Sequence, residues 1–162
     1  MTKPMKFNAR VFDESFLDQC DARIAAFYQI WKSKCKDGVI PSRSDFDPIN
    51  MVCFLPGITL VDVNSETKEL TYRLVGTNEV AVLGKDPTGE AVKDNFHANS
   101  WDDAWGNYGH VINKKGVAYD DSNIPNSNGV IERDQTVFVP LSSDGKQVNI
   151  VMAYSIQQKM VR

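Results

Sequence analysis

Histidine and cysteine are scarce in this chain, and the short motifs that catalysis tends to leave in a sequence are missing. Two histidines, His97 and His110, stand among 162 residues. On one continuous helix their spacing sets them on roughly opposite faces, so they cannot share a metal ion. The three cysteines, Cys20, Cys35 and Cys53, are odd in number and form no C-x-x-C pair. That pattern reads as reduced thiols rather than a disulfide framework or a zinc site. There is no G-x-G-x-x-G, no Walker loop, no nucleophile elbow, no H-E-x-x-H and no EF-hand loop. Lys/Arg runs are absent too, and the net charge is −3. Nucleic acid is therefore not the expected partner, since phosphate binding needs a basic face. No apolar run approaches the ~18 residues of a membrane span. The opening "MTKPMKFNARVF" lacks the apolar centre of a signal peptide. Together these absences predict a cytoplasmic protein with neither nucleic acid nor membrane as partner.

What is present is ordinary globular material. A chain of this length, 42% hydrophobic and 24% charged, can bury a core as one domain. Residues 1–12 read as a tail. Residues 13–37 carry Phe16, Cys20, Ile24, Phe27, Tyr28, Trp31 and Cys35 at helical spacing, which predicts an amphipathic helix capped by Asp13 or Ser15 and closed by Gly38. Phe16, Ile24, Phe27 and Trp31 form a stripe that must be covered, either by the same domain or by the matching helix of a second copy. Residues 38–162 form the rest of the domain. Ser44 or Asp47 can cap a short helix over 48–54, with Pro48 in its first turn. Strand patterns cover 58–64 and 69–76 as a hairpin, and 116–124, 130–141 and 147–158 as three further strands, with Asp144-Gly145 a hairpin turn. Residues 94–113 read as a helix capped by Asp94, although Gly106 and Gly109 weaken the pattern. The fold class is α+β: a five-stranded antiparallel sheet with helices on one face and the N-terminal helix before it.

Three groups of residues invite a chemical reading. The strand "LTYRLVGT" at 70–77 stops at Gly76-Thr77 before a short helix. The turn is either a phosphate cradle or a structural corner, and with a lone glycine and no lysine the cradle lacks its parts. Trp101, Trp105 and Tyr108 share one helical face, as pocket wall or as core filling. The acidic pairs Asp102-Asp103 and Asp120-Asp121 point in differing directions and read mostly as solvated faces, as do Asp45 and Asp47. On alternation, Leu70, Tyr72 and Leu74 share one face of their strand, and Ile150, Met152 and Tyr154 share one face of the last. Asn149, Val151, Ala153 and Ser155, on its opposite parity, are also open as pocket residues.

Several motifs then combine. Trp31, "IPSRSDFDP" at 40–48, "LPGITLVDV" at 55–63, "YRLVGT" at 72–77, "GKDPTG" at 84–89 and "VFVPLSSDGKQVNIVMAYS" at 137–155 resemble the PAS-fold family, in particular a group of PAS-like proteins of α-proteobacteria. The resemblance covers roughly 25–157. It implies that Gly76-Thr77 is a corner, capped by Thr77 or Asn78, and that the protein is a sensory domain rather than an enzyme. Its small ligand would lie between the sheet and the helices of 78–113. The candidate pocket residues are Tyr72, Leu74, Trp101, Trp105, Tyr108, Val139, Met152 and Tyr154, with Arg43 or Arg73 available to a carboxylate on the ligand. Haem through His97 or His110 stays open, whereas photoactive flavin chemistry is excluded because no cysteine follows Cys53. The expected partners are a second copy of the chain and a separate effector protein. Two other readings stand beside this one. The first is a ligand-free dimerisation module built on the 13–37 stripe. The second is a small α+β enzyme needing a His and a carboxylate on one cavity.

Overall fold

A computed structural model describes residues 6–96 and 100–160. Six antiparallel strands form one sheet in the order β1-β4-β5-β6-β2-β3. The strands are β1 (Lys6–Val11), β2 (Ile58–Val63), β3 (Leu70–Val75), β4 (Ala118–Pro125), β5 (Ile131–Leu141) and β6 (Ile150–Lys159). Five of them answer to the five strands expected. The sixth, β1, comes from the segment read as a tail and pairs with the free edge of β4, Arg10 opposite Asp120.

The helices are α1 (Ala22–Lys34), α2 (Thr77–Leu83) and α3 (Trp101–Lys114). The continuous helix expected over 13–37 is broken. A 3-10 turn at Glu14–Asp18, capped by Asp13, comes first. The backbone of Asp21 is then extended, and its side chain caps α1 by accepting from the Arg23 amide at 2.8 Å. The Asp21 amide donates to Oε1 of Gln135 at 2.8 Å, so a tertiary bond to β5 fixes the break. α3 likewise starts later than expected. Asp94 ends a separate 3-10 turn at Val92–Asp94, and Ser100 caps α3 by accepting from the Asp103 amide at 3.2 Å. Of the two caps expected for the helix over 48–54, Asp47 is the one used, accepting from the Ile49 amide at 2.9 Å, and the helix itself is a 3-10 turn at Pro48–Met51.

Helices lie on both faces of the sheet. Odd-numbered residues of β5 (Val137, Val139, Leu141) and even-numbered residues of β6 (Ile150, Met152, Tyr154, Ile156) belong to one core with Phe16, Ile24, Phe27 and Trp31. The opposite parity, with Ala118, Phe138, Val151 and Ala153, belongs to a second core with Tyr72, Tyr108 and Val111. The alternation of strand side chains makes this division. The aromatic stripe of the N-terminal segment is thus covered by the chain's own sheet: Phe16, Ile24 and Phe27 have no exposed surface. Trp31 is pinned by its indole N–H donating to the Pro140 carbonyl at 2.9 Å. These four residues are interior, which corrects their assignment to a helix–helix interface between copies. Among the described residues no helix is long and apolar enough to cross a membrane.

Candidate functional site

The question posed by Gly76-Thr77 has a steric answer. A Cβ on Gly76 would lie 2.4 Å from the carbonyl oxygen of Pro56 and 2.7 Å from that of Ile58. The Gly76 amide donates to the Ile58 carbonyl at 2.8 Å. The chain turns here against β2 at a separation only glycine permits. Gly76 itself is the N-cap of α2, with no side-chain cap bond, so neither Thr77 nor Asn78 caps it. The turn is a structural corner that seats α2 over the sheet.

That seating leaves a partly open cavity of about 70 Å³ between the sheet and α2–α3. At ~10–15 Å³ for each water-sized occupant, it has room for roughly five. The floor comes from neighbouring strands: Thr59 of β2, Tyr72 of β3, Asp120 and Ser122 of β4, Asp134, Thr136 and Phe138 of β5, and Ala153 and Ser155 of β6. Register explains their gathering. Thr136 lies opposite both Asp120 and Ser155, and Ser122 lies opposite Asp134. The roof is Glu79 of α2, Phe96, and Asp103, Ala104, Asn107 and Tyr108 of α3.

The floor is a polar stripe in the middle of a sheet, where apolar residues would be cheaper to bury. Asp120 accepts from the Asn107 amide at 2.8 Å and from the Ser122 hydroxyl. Asp134 accepts from Gln157 at 3.0 Å and from Thr136 at 3.4 Å. The hydroxyls of Thr136 and Ser155 meet at 2.7 Å. Above them, Asn107 also accepts from Nε of Arg10 at 3.0 Å, while the guanidinium donates to the Asp103 carbonyl. Gly106 makes that crossing feasible, because a Cβ there would meet Arg10 at 2.5 Å. The glycine that weakens the helix pattern is the one that lets β1 reach the roof.

Two groups break the pattern of satisfied bonds. Tyr72 and Tyr108 are 4% and 9% exposed and line the cavity, yet neither hydroxyl has a hydrogen-bond partner among the described residues. Burial, and then the nearby Glu79 carboxylate, raise the Tyr72 phenol above its usual range. Tyr108 is raised by burial, by Tyr72 and by Glu79. Both hydroxyls stay protonated through the physiological range.

Of the eight residues expected in the pocket, the structure brings Tyr72 and Tyr108 to the cavity. Leu74 is on the other face and 42% exposed. Leu60 pairs with Leu74 but Val61 with Tyr72, so Arg73 is an inserted bulge residue that reverses the alternation. Val139, Met152 and Tyr154 are on the α1 face. It is the other parity, Ala153 and Ser155, that faces the cavity. Trp101 and Trp105 pack at the rim of the second core, partly buried. Arg73 pairs with Asp62 at 3.2 Å at the surface, and Arg43 donates to the Phe46 carbonyl at 3.4 Å. Neither lines the cavity.

Asp120 and Asp121 are both buried, not solvated. Asp120 faces the cavity, and Asp121 takes a bidentate pair from Arg133 with contacts of 2.7 and 3.0 Å. A readable signal for the floor was the polar i, i+2 spacing inside apolar strands: Asp120/Ser122 and Asp134/Thr136. His110 stacks on Phe12 with ring centroids 4.4 Å apart, away from the cavity. Burial and Lys114 hold its pKa below the ordinary histidine value. His97 lies outside the described residues. Among the described residues, no group of three or more His, Cys, Asp or Glu is arranged to hold a metal ion.

A comparison with family models finds a match to the PAS domain over residues 21–154, most of the chain. No curated protein matches the sequence.

Proposed function

The chain belongs to the PAS domain family, a family of sensory and interaction modules, and from that premise we propose that it senses a small molecule held between the sheet and α2–α3. The observation that carries the reading is the pair of buried hydroxyls of Tyr72 and Tyr108, which face one cavity and have no hydrogen-bond partner among the described residues. A buried hydroxyl without a partner costs about 1–3 kcal/mol. An occupant that bonds to both hydroxyls removes that cost, so occupation stabilises the arrangement of α2 and α3 around it.

The signal in this reading passes outward through those helices to a separate effector protein. α2 is short and sits on the Gly76 corner, and Asn107 ties the roof to the floor at Asp120, beside the apolar packing of Tyr108, Val111 and Ile112 on the sheet. A ligand that pairs differently with roof and floor shifts their relative position. No catalytic step is assigned. Among the described residues no histidine stands over the cavity, and the fold alone does not confer a reaction.

Native mass spectrometry of the purified protein, beside a denatured control, tests the reading. A reproducible extra mass that disappears on denaturation is expected. A bare polypeptide mass, together with no thermal stabilisation by any of a panel of small metabolites, would refute it.

A further inference from the structure

Three hydroxyls on the cavity wall, those of Thr59, Tyr72 and Tyr108, have no hydrogen-bond partner among the described residues. All three residues line the cavity and are at least nine-tenths buried. Their neutral polar neighbours are already committed within the protein. Ser122 and the Asn107 amide donate to Asp120, and the Thr136 and Ser155 hydroxyls meet each other at 2.7 Å. The three open hydroxyls come from β2, β3 and α3, so they reach the space from both floor and roof.

A hydroxyl has one proton to donate and lone pairs with which to accept. Threonine uses either, so Thr59 places little demand on an occupant. A phenol is biased, because its ring draws on the oxygen lone pair; that weakens the oxygen as an acceptor and strengthens the O–H as a donor. Burial keeps both phenols in the protonated, donating form. They are also neighbours, since Tyr72 contributes to the raised pKa of Tyr108. The Tyr108 ring is held edge to face against Phe138 at 5.4 Å. Phe96, Ala104, Phe138 and Ala153 supply an apolar wall. A cavity of about 70 Å³ seats roughly five non-hydrogen atoms.

Resting on the pocket reading above, we propose that the ligand class is a small carbonyl compound whose oxygen accepts from Tyr72 and Tyr108 together. A carbonyl oxygen carries two lone pairs in one plane, so a single atom satisfies both phenols. Its short alkyl body packs against Phe96 and Phe138. An ammonium group offers donors alone and leaves both phenols without an acceptor. A ketone and a carboxylate share the required oxygen, and the test tells them apart.

The test is titration calorimetry of the full chain in potassium phosphate with butanone, propanoate and n-butylammonium, which are alike in size, together with infrared spectra of the bound carbonyl. Each hydrogen bond to a carbonyl oxygen lowers its stretching frequency. The expected result is saturable binding of butanone or propanoate, several-fold tighter than of n-butylammonium, with the bound carbonyl stretch below its value in water-free solvent. Tighter binding of butanone assigns a neutral ligand, and tighter binding of propanoate a carboxylate. Tyr72→Phe and Tyr108→Phe each remove one hydroxyl that has no partner among the described residues, so no described internal bond is lost. Each is expected to weaken carbonyl binding about three- to tenfold, the scale of one neutral hydrogen bond, and to return part of the frequency shift. Equal or tighter binding of n-butylammonium, or carbonyl binding that neither variant alters, overturns the carbonyl class and leaves the pocket reading standing. So does a co-purified mass on a protein that ignores all three probes. No probe binding and no co-purified mass overturn both.

Discussion

Replacing Phe27 by Ala tests whether α1 belongs to the folded core of one chain. Phe27 has no exposed surface. Its ring stacks on Tyr154 at 5.0 Å between centroids and meets Phe54 edge-on at 5.9 Å. Truncating a buried Phe to Ala costs about 3–5 kcal/mol, the lost transfer energy plus the cavity left behind. The cavity here is walled by two aromatic rings that cannot collapse into it without leaving their own contacts. The upper half of that range, about 4–5 kcal/mol, therefore applies, with the ring pairs adding to the area term. For a chain of this length each kcal/mol moves Tm by about 2–4 °C, so the expected drop is about 8–20 °C. Phe27→Leu keeps most of the volume and should cost less than about 1.5 kcal/mol. Calorimetry and urea unfolding, repeated over a hundredfold range of protein concentration, would measure both. The reasoning fails if Phe27→Ala costs less than about 1.5 kcal/mol. It fails equally if the unmodified protein's Tm climbs with concentration and the variant's does not, for the helix would then be packing against another copy.

Three more outcomes follow from the same structure. Gly76→Val should destabilise by about 1–3 kcal/mol or more through forced backbone displacement at the corner, seen as a lower urea midpoint; an unchanged midpoint contradicts the steric account. Arg133→Leu strands the Asp121 carboxylate, whose side chain is 9% exposed. The cost should be about 2 kcal/mol, below that of a fully enclosed pair because Arg133 is itself partly open, and adding Asp121→Asn should recover part of it. Asp144 is held to a pKa of about 2 by the amides of Gln147 and Lys146 and by the Ser142 hydroxyl, lowered from an unfolded value near 3.8. Its contribution is therefore present above pH 3.8 and lost as pH falls through about 2. The Tm gap between the unmodified protein and Asp144→Asn should be full at pH 5 and close towards pH 2, and a constant gap would contradict the assignment.

Much of the fold was legible because strand and helix periods are local. The hairpin of β2 and β3, the three closing strands and the Asp144-Gly145 turn all announce themselves in short windows. β1 was legible in principle, since "FNARV" alternates apolar and polar residues, but a strand this short is fixed only by the edge it joins. The break before α1 was not legible, because it is set by Gln135, more than a hundred residues away. At the cavity, Tyr72 and Tyr108 were found by pattern. Leu74 was misplaced by the bulge at Arg73, which no alternation rule foresees. Val139, Met152 and Tyr154 failed for another reason. Both faces of β5 and β6 are apolar because both are covered, so hydrophobicity says nothing about which face meets the cavity. The polar residues between the apolar ones did carry that information.

The strict parity of β5 and β6 has a consequence for how such a protein can change. Residues 151, 153 and 155 and residues 134, 136 and 138 face one compartment; their immediate neighbours face the other. Two vocabularies are thus interleaved letter by letter along the same strands. One spells the cavity and the other spells the fold. A lineage can rewrite the first without touching the second, so the shape and polarity of the cavity are open to single substitutions that leave the α1-side core intact. A one-residue insertion in either strand would exchange the two vocabularies wholesale and lose both meanings together.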